Sequence, residues 1–300
     1  MSPKKDTRID ALLDQASKTH DWDELRRLAL AILAVDPQRP EGLILLADST
    51  DDNVEGMSLL REALKFLPST EDGEDRDARE LRIVILERLG QLLLPVEPEE
   101  ALRQADLVLN LDQGENELAL TLKYAAQLEL GLFRDTLELF LCDGSGYPIR
   151  YYARALALYH LTGGSVSFFQ SLWDALEKES EMAFYGLDLW PDPPLEDGDE
   201  WDYIRLSSVM ITPWLNAGKA YGWLLVATLL FGYLTDRIPD ALLDKFQAYL
   251  NTTGFFDEMN RCLGEFEAYL RPLGDLSDDA VDAEALRWLR RKPIGHWALF

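Results

Sequence analysis

Histidine and cysteine are scarce in this chain: three and two, respectively, among 300 residues. His20, His160 and His296 lie far apart, and none has a Cys, Asp or His at ligand spacing on its own helix face. No HExxH is present, so the usual zinc patterns are excluded. Cys142 and Cys262 stand 120 residues apart without a CxxC. That spacing excludes a dense disulfide framework, and both thiols read as free and structural in a reducing compartment. GxSxG, P-loop and GxGxxG patterns are also missing, and Gly144-Ser145-Gly146 reads as a linker turn. The sequence therefore nominates no catalytic, cofactor-binding or metal-binding residue.

Positive charge is in deficit as well. Lys and Arg number 29 against 54 Asp and Glu, a net charge of −25. A general affinity for nucleic acid or anionic lipid needs a positive field, so this balance argues against both and favours basic protein partners. Long apolar runs are missing too. The apolar, uncharged stretch Ala220 to Leu234 has fifteen residues, whereas a spanning helix needs about 20. Lys219 and Asp236 close it, and Asn216, Thr212 and Pro213 precede it, so a buried helix in a core is expected. The first residues are basic but lead into an amphipathic, acid-containing stretch, unlike a secretory leader. A cytoplasmic, membrane-free protein is the expectation.

What the chain does have is apolar material, 47% of it, enough for a real core. Helical spacing dominates and alternating strand patterns are absent, so the expected class is all-α. Turn signals recur at His20-Asp21, Asp51 to Asn53, Pro95-Val96, Gly131 and Gly163-Gly164, at the period of helix-hairpin arrays. In the first unit Ile9, Leu12, Leu13 and Ala16 form one stripe; Trp22, Leu25, Ala29, Ile32 and Leu33 form another before Asp36-Pro37 stops the helix. Four further units follow: 40–68, a third around Ile85 and Ala101, a fourth around Tyr124 and Phe140, a fifth around Leu156 and Trp173. This is a tetratricopeptide-like pattern, and the expected architecture is an α-solenoid of about five hairpins over residues 6–180.

Beyond residue 180 the period disappears, and seven of the eight tryptophans lie from Trp173 onward. A Trp-rich helical cap over 181–300 is expected, because an uncapped solenoid end exposes an apolar face. Two acidic loops, Ser69 to Asp77 and Asp188 to Asp202, carry much of the negative charge and read as solvated segments; the second holds seven acids but lacks the calcium-loop register. The tail is basic, with Arg287, Arg290, Arg291 and Lys292 beside Trp288 and Trp297. Its expected place is folded back on the acidic body, with Trp288, Leu289, Trp297, Leu299 and Phe300 as contacts.

Particular stretches carry a family resemblance: Leu109-Asn110-Leu111-Asp112 ending one unit, Glu129-Leu130-Gly131 at a turn, Tyr152 to Tyr159 before a glycine-rich turn, and Phe184 through Trp223-Leu224. Over roughly 81–225 the chain resembles the tetratricopeptide proteins related to suppressor of tumorigenicity 7. The resemblance implies an interaction scaffold without a known reaction. In stacked hairpins the first helix of each unit lines one face, which nominates Lys123, Gln127, Arg150, Tyr151, Arg154 and Tyr159 as partner-binding residues for a peptide or protein segment. The competing reading is a hydrolase or metal enzyme with its site between Trp190 and Trp223. Net charge favours basic partners, whereas Lys123, Arg150 and Arg154 leave open a groove that prefers an acidic or mixed peptide.

Overall fold

The computed structural model describes residues 3–19, 21–68, 76–194, 198–292 and 294, the side chains of 3–6, 198–199 and 245–249 excepted. Among the described residues there are sixteen α-helices and no strand. The chain forms two compact units, Met1–Ala126 and Gln127–Phe300.

The first unit holds α1 (Pro3–Ala16), α2 (Trp22–Val35), α3 (Pro40–Asp48), α4 (Asn53–Lys65), α5 (Arg76–Leu93), α6 (Pro98–Leu111) and most of α7 (Glu117–Glu129). From α1 to α6, each helix packs on the next in sequence. Local chemistry places the helix starts. Asp21 accepts from the Glu24 amide at 3.0 Å, Asp52 from the Val54 and Glu55 amides, and Asn116 from the Ala119 amide at 2.8 Å; α3 and α6 open on prolines. Each helix buries one stripe: Leu28, Ala29 and Ile32 in α2; Leu60 and Ala63 in α4; Ala101, Ala105 and Val108 in α6.

Trp22 departs from the expected stripe and is 65% exposed. It is the first residue of α2 and lies roughly 75° round the helix from the centre of the Leu28–Ala29–Ile32 stripe. His20 lies outside the described residues.

The second unit continues with α8 (Phe133–Cys142), α9 (Ile149–Thr162), α10 (Val166–Lys178), α11 (Glu181–Gly186), α12 (Gly198–Leu215), α13 (Lys219–Leu234), α14 (Asp240–Thr253), α15 (Phe255–Leu270), a 3-10 turn at Arg271–Leu273, and α16 (Asp278–Leu289). Its organiser is α13, which packs against α10, α11, α12, α15 and α16. Twelve of its sixteen residues are buried, which is why the uncharged run needs no membrane. No helix among the described residues is long and apolar enough to cross one. The buried Thr228 hydroxyl donates to the Leu224 carbonyl at 2.8 Å, so even the polar residue of this run is satisfied within the helix.

Gly232 is required by close packing. A Cβ there would stand 2.7 Å from both Ile238 and the Phe184 ring, itself stacked on Trp190 at 4.7 Å. The boundary between the units falls inside the 6–180 span read as repeats. The physical reason is that α9 packs on α12, and α10 on α13 and α16, so the last helix pair belongs with the C-terminal helices.

The described part of the basic tail packs on the second unit. Trp288 and Leu289 are buried, Arg290 donates to Asp174 at 2.9 Å and Glu177 at 2.5 Å, and Lys292 pairs with Glu265 at 2.6 Å while lying over the Trp288 ring. Trp297, Leu299 and Phe300, and His296, fall outside the described residues.

Candidate functional site

Helix α9 is buried on most sides. Tyr152, Ala153, Leu156 and Ala157 are enclosed, and the Tyr152 hydroxyl donates to the Glu179 carbonyl at 2.6 Å. Burial, followed by the charges of Glu179 and Glu181, raises the Tyr152 pKa well above the usual tyrosine value. Tyr203 of α12 reaches the same Glu179 through its carboxylate at 3.4 Å, so α12 packs where a partner on that side of α9 would have to lie.

Arg150, Tyr151 and Arg154 form a half-buried strip on α9 between α8 and α10 at helical spacing, while His160, Leu161 and Thr162 are exposed in its last turn. The turn before α9 anchors it: Asp143 accepts from the Ser145 amide at 2.8 Å, Ser145 Oγ from the Tyr147 amide at 3.2 Å, and Arg150 donates to the Asp143 carbonyl. The Arg150 guanidinium lies 5.1 Å from the Phe140 ring centre and 5.3 Å from Tyr151, and those rings meet edge-on at 5.5 Å. Its Nε is buried without a hydrogen-bond partner. One turn on, Arg154 lies 5.0 Å from the same Phe140 ring and 3.6 Å from Asp174 of α10. Lys178, exposed at the end of α10, places its ammonium 5.9 Å from the Tyr151 ring.

The six nominated residues do not form one surface. Arg150, Tyr151 and Arg154 come together. Tyr159, two turns away, packs edge-on against Trp223 at 6.0 Å and beside Phe168 at 5.5 Å. Gln127 is buried, with its Oε1 unpartnered. Lys123 belongs to the first unit and pairs with Asp106 at 2.8 Å. Sequence reasoning missed Lys178 and Asp174, whose only signal is their position on the last two turns of α10. It placed Phe140 among the repeat residues of α8, not at the binding strip.

Between Trp190 and Trp223, Trp190 donates to the Arg237 carbonyl at 2.8 Å, Glu200 accepts from Tyr185, and Asp202 pairs with Arg205 at 3.4 Å, while Trp201, Ser207, Trp214 and Trp223 bury side-chain donors without a partner among the described residues. Residues 195–197 of the acidic loop lie outside the described residues. Among the described residues, no cluster of three His, Cys, Asp or Glu could hold a metal. His160 stacks flat on Phe133 at 4.2 Å, and burial lowers its pKa. The first unit carries two clefts, one of about 360 Å³ lined by Arg76, Arg79, Asp112 and Gln113, the other of about 480 Å³ lined by Arg39, Leu67, Leu81 and Val84. No family model, curated protein or solved structure matches this chain.

Proposed function

We propose that the chain is a cytoplasmic, non-catalytic interaction scaffold of tetratricopeptide-like helix pairs, which holds a peptide or protein segment on the strip that α9 presents between α8 and α10. The pairs α1/α2, α3/α4, α5/α6 and α9/α10, and the resemblance to proteins related to suppressor of tumorigenicity 7, support the architecture. One observation carries the binding role: Arg150, Tyr151 and Arg154 of α9 and Phe140 of α8 form a compact cation–aromatic cluster at the surface. Aromatic and arginine side chains dominate binding energy where they cluster, because they bring large contact area and directional donors at modest entropic cost.

The test is affinity capture from native cells with the full chain and with Tyr151→Ala and Arg154→Ala as matched baits. Partners released by both variants, with helical content unchanged, support the reading. A partner set held equally by all three baits overturns it.

A further inference from the structure

Resting on that reading, the geometry points to the chemistry of the ligand: we infer that the α8–α10 strip selects a carboxylate-rich segment of a partner protein, against the sign of the molecule's own net charge. Three cations converge here. The Arg150 and Arg154 guanidinium carbons are both within about 5 Å of one ring, Phe140, and Lys178 lies over the adjoining Tyr151 ring. Arg150 has its counter-charge in place, whereas Arg154 shares its own with Arg290. Asp143 is enclosed beneath Arg150, its side chain 4% exposed and its carboxylate 3.9 Å from the guanidinium. Asp174 stands 3.6 Å from Arg154 but 2.9 Å from Arg290, which also takes Glu177. Lys178 has no ion pair among the described residues.

Arg150 turns donors inward, with one on the Asp143 carbonyl and its Nε buried, so the groups left for a carboxylate are the Arg154 guanidinium, whose side chain is 30% exposed, and the exposed Lys178 ammonium. An anion placed between Arg154 and Lys178, beside the already paired Arg150, completes a counter-charge that Arg154 only shares. A basic or neutral segment does not.

The total of −25 opposes approach of an acidic segment only at long range. At physiological ionic strength the Debye length is about 8 Å, so distant acids are screened while groups within hydrogen-bonding reach are not. Binding should therefore strengthen as salt rises from very low values, pass through a maximum, and fall at high salt. A basic ligand, attracted by the whole molecule, weakens with salt throughout.

The experiment is fluorescence anisotropy with the full chain and fluorescein-labelled hexaglutamate, hexalysine and hexaserine across a sodium chloride series. Hexaglutamate is expected to bind best, with the rise and fall in salt. Arg154→Gln and Lys178→Gln should each weaken it about fivefold to tenfold, as loss of one charge-assisted hydrogen bond implies. Lys219→Gln, which removes the same charge from an exposed site at the start of α13, should change it less than about twofold. Lys178 is exposed, so its variant tests the idea even if Arg154→Gln disturbs packing. Absence of hexaglutamate binding, equal weakening by Lys219→Gln, or tighter hexalysine binding overturns the carboxylate preference. The last result leaves the scaffold reading standing, whereas that reading fails by the capture experiment alone.

Discussion

The two units bury their apolar residues by different designs. In the first, amphipathic helices stack in chain order, and each contributes one stripe to contacts with its neighbours. In the second, α13 is apolar almost all round and is surrounded by helices drawn from five places in the sequence. A helix with one buried face can be added or trimmed at an end, because its contacts are local. A helix buried on all sides makes the elements around it depend on one another. The comparison explains why the apolar run of α13 falls in the unit that is not a simple stack.

The sharpest way to break that contrast is to hollow each core at a fully buried leucine. Leu28→Ala in α2 and Leu230→Ala in α13, both 0% exposed, should each cost about 2–5 kcal/mol. The response should differ in extent. Hydrogen exchange should rise around α1 to α3 in the first variant, and across α10 to α13, α15 and α16 in the second. Exchange confined to α13 in Leu230→Ala would show that the second unit is as modular as the first.

How much of this was legible in the sequence follows from the same contrast. Turns at Asp21, Pro95, Gly131 and Gly163 lie between helices where local signals put them, because caps and breakers act within a few residues. The run Ala220–Leu234 was legible as a buried helix, since fifteen apolar-rich, uncharged residues in a row have nowhere else to go. Arg150, Tyr151 and Arg154 were legible as one strip because a single helix fixes their spacing. Their neighbours Lys178 and Asp174 were not, because the register between α9 and α10 is set by packing. Nor does one helix's period reveal that α12 packs on α9, that Tyr159 meets Trp223, or that Arg290 finds Asp174 across 116 residues.

Glycines give a second, smaller contrast. Gly42→Ala in α3 brings a Cβ to 2.9 Å from the Ile32 Cγ2 branch and 3.0 Å from Leu33 Cδ2, a crowding of a few tenths of an ångström that offsets a helix-propensity gain of up to about 1 kcal/mol. Its net effect on the thermal midpoint should be near zero. Gly232→Ala in α13 meets the Phe184 ring, held by Trp190, and Ile238, so overpacking should cost about 1–3 kcal/mol. Equal midpoints for the two variants would remove the distinction between a yielding stack and a closed core.

Alkali should act on the second unit through Tyr152. Its pKa is raised in the folded state, so the stability it contributes is complete below the unfolded value of 10.0 and is lost as pH rises above that. Thermal midpoints should hold to about pH 9 and then fall, with Tyr152→Phe flattening the fall. A fall of the same steepness in Tyr152→Phe would assign the alkaline limit to other groups.

Arg290→Gln should have the smallest effect, and its size decides how the tail is held. The guanidinium ties α16 to α10 through Asp174 and Glu177, but it is 33% exposed, and exposed pairs contribute about 0–1 kcal/mol that salt screens. Trp288 and Leu289, buried beside it, carry most of the docking energy. The variant should lower the midpoint by no more than a few degrees at low salt and not at all in molar salt. A larger, salt-resistant loss would mean that the ion pair, more than the apolar face of α16, closes the second unit. It would also free Asp174 to pair fully with Arg154, so hexaglutamate affinity should drop in the same variant by about twofold or more.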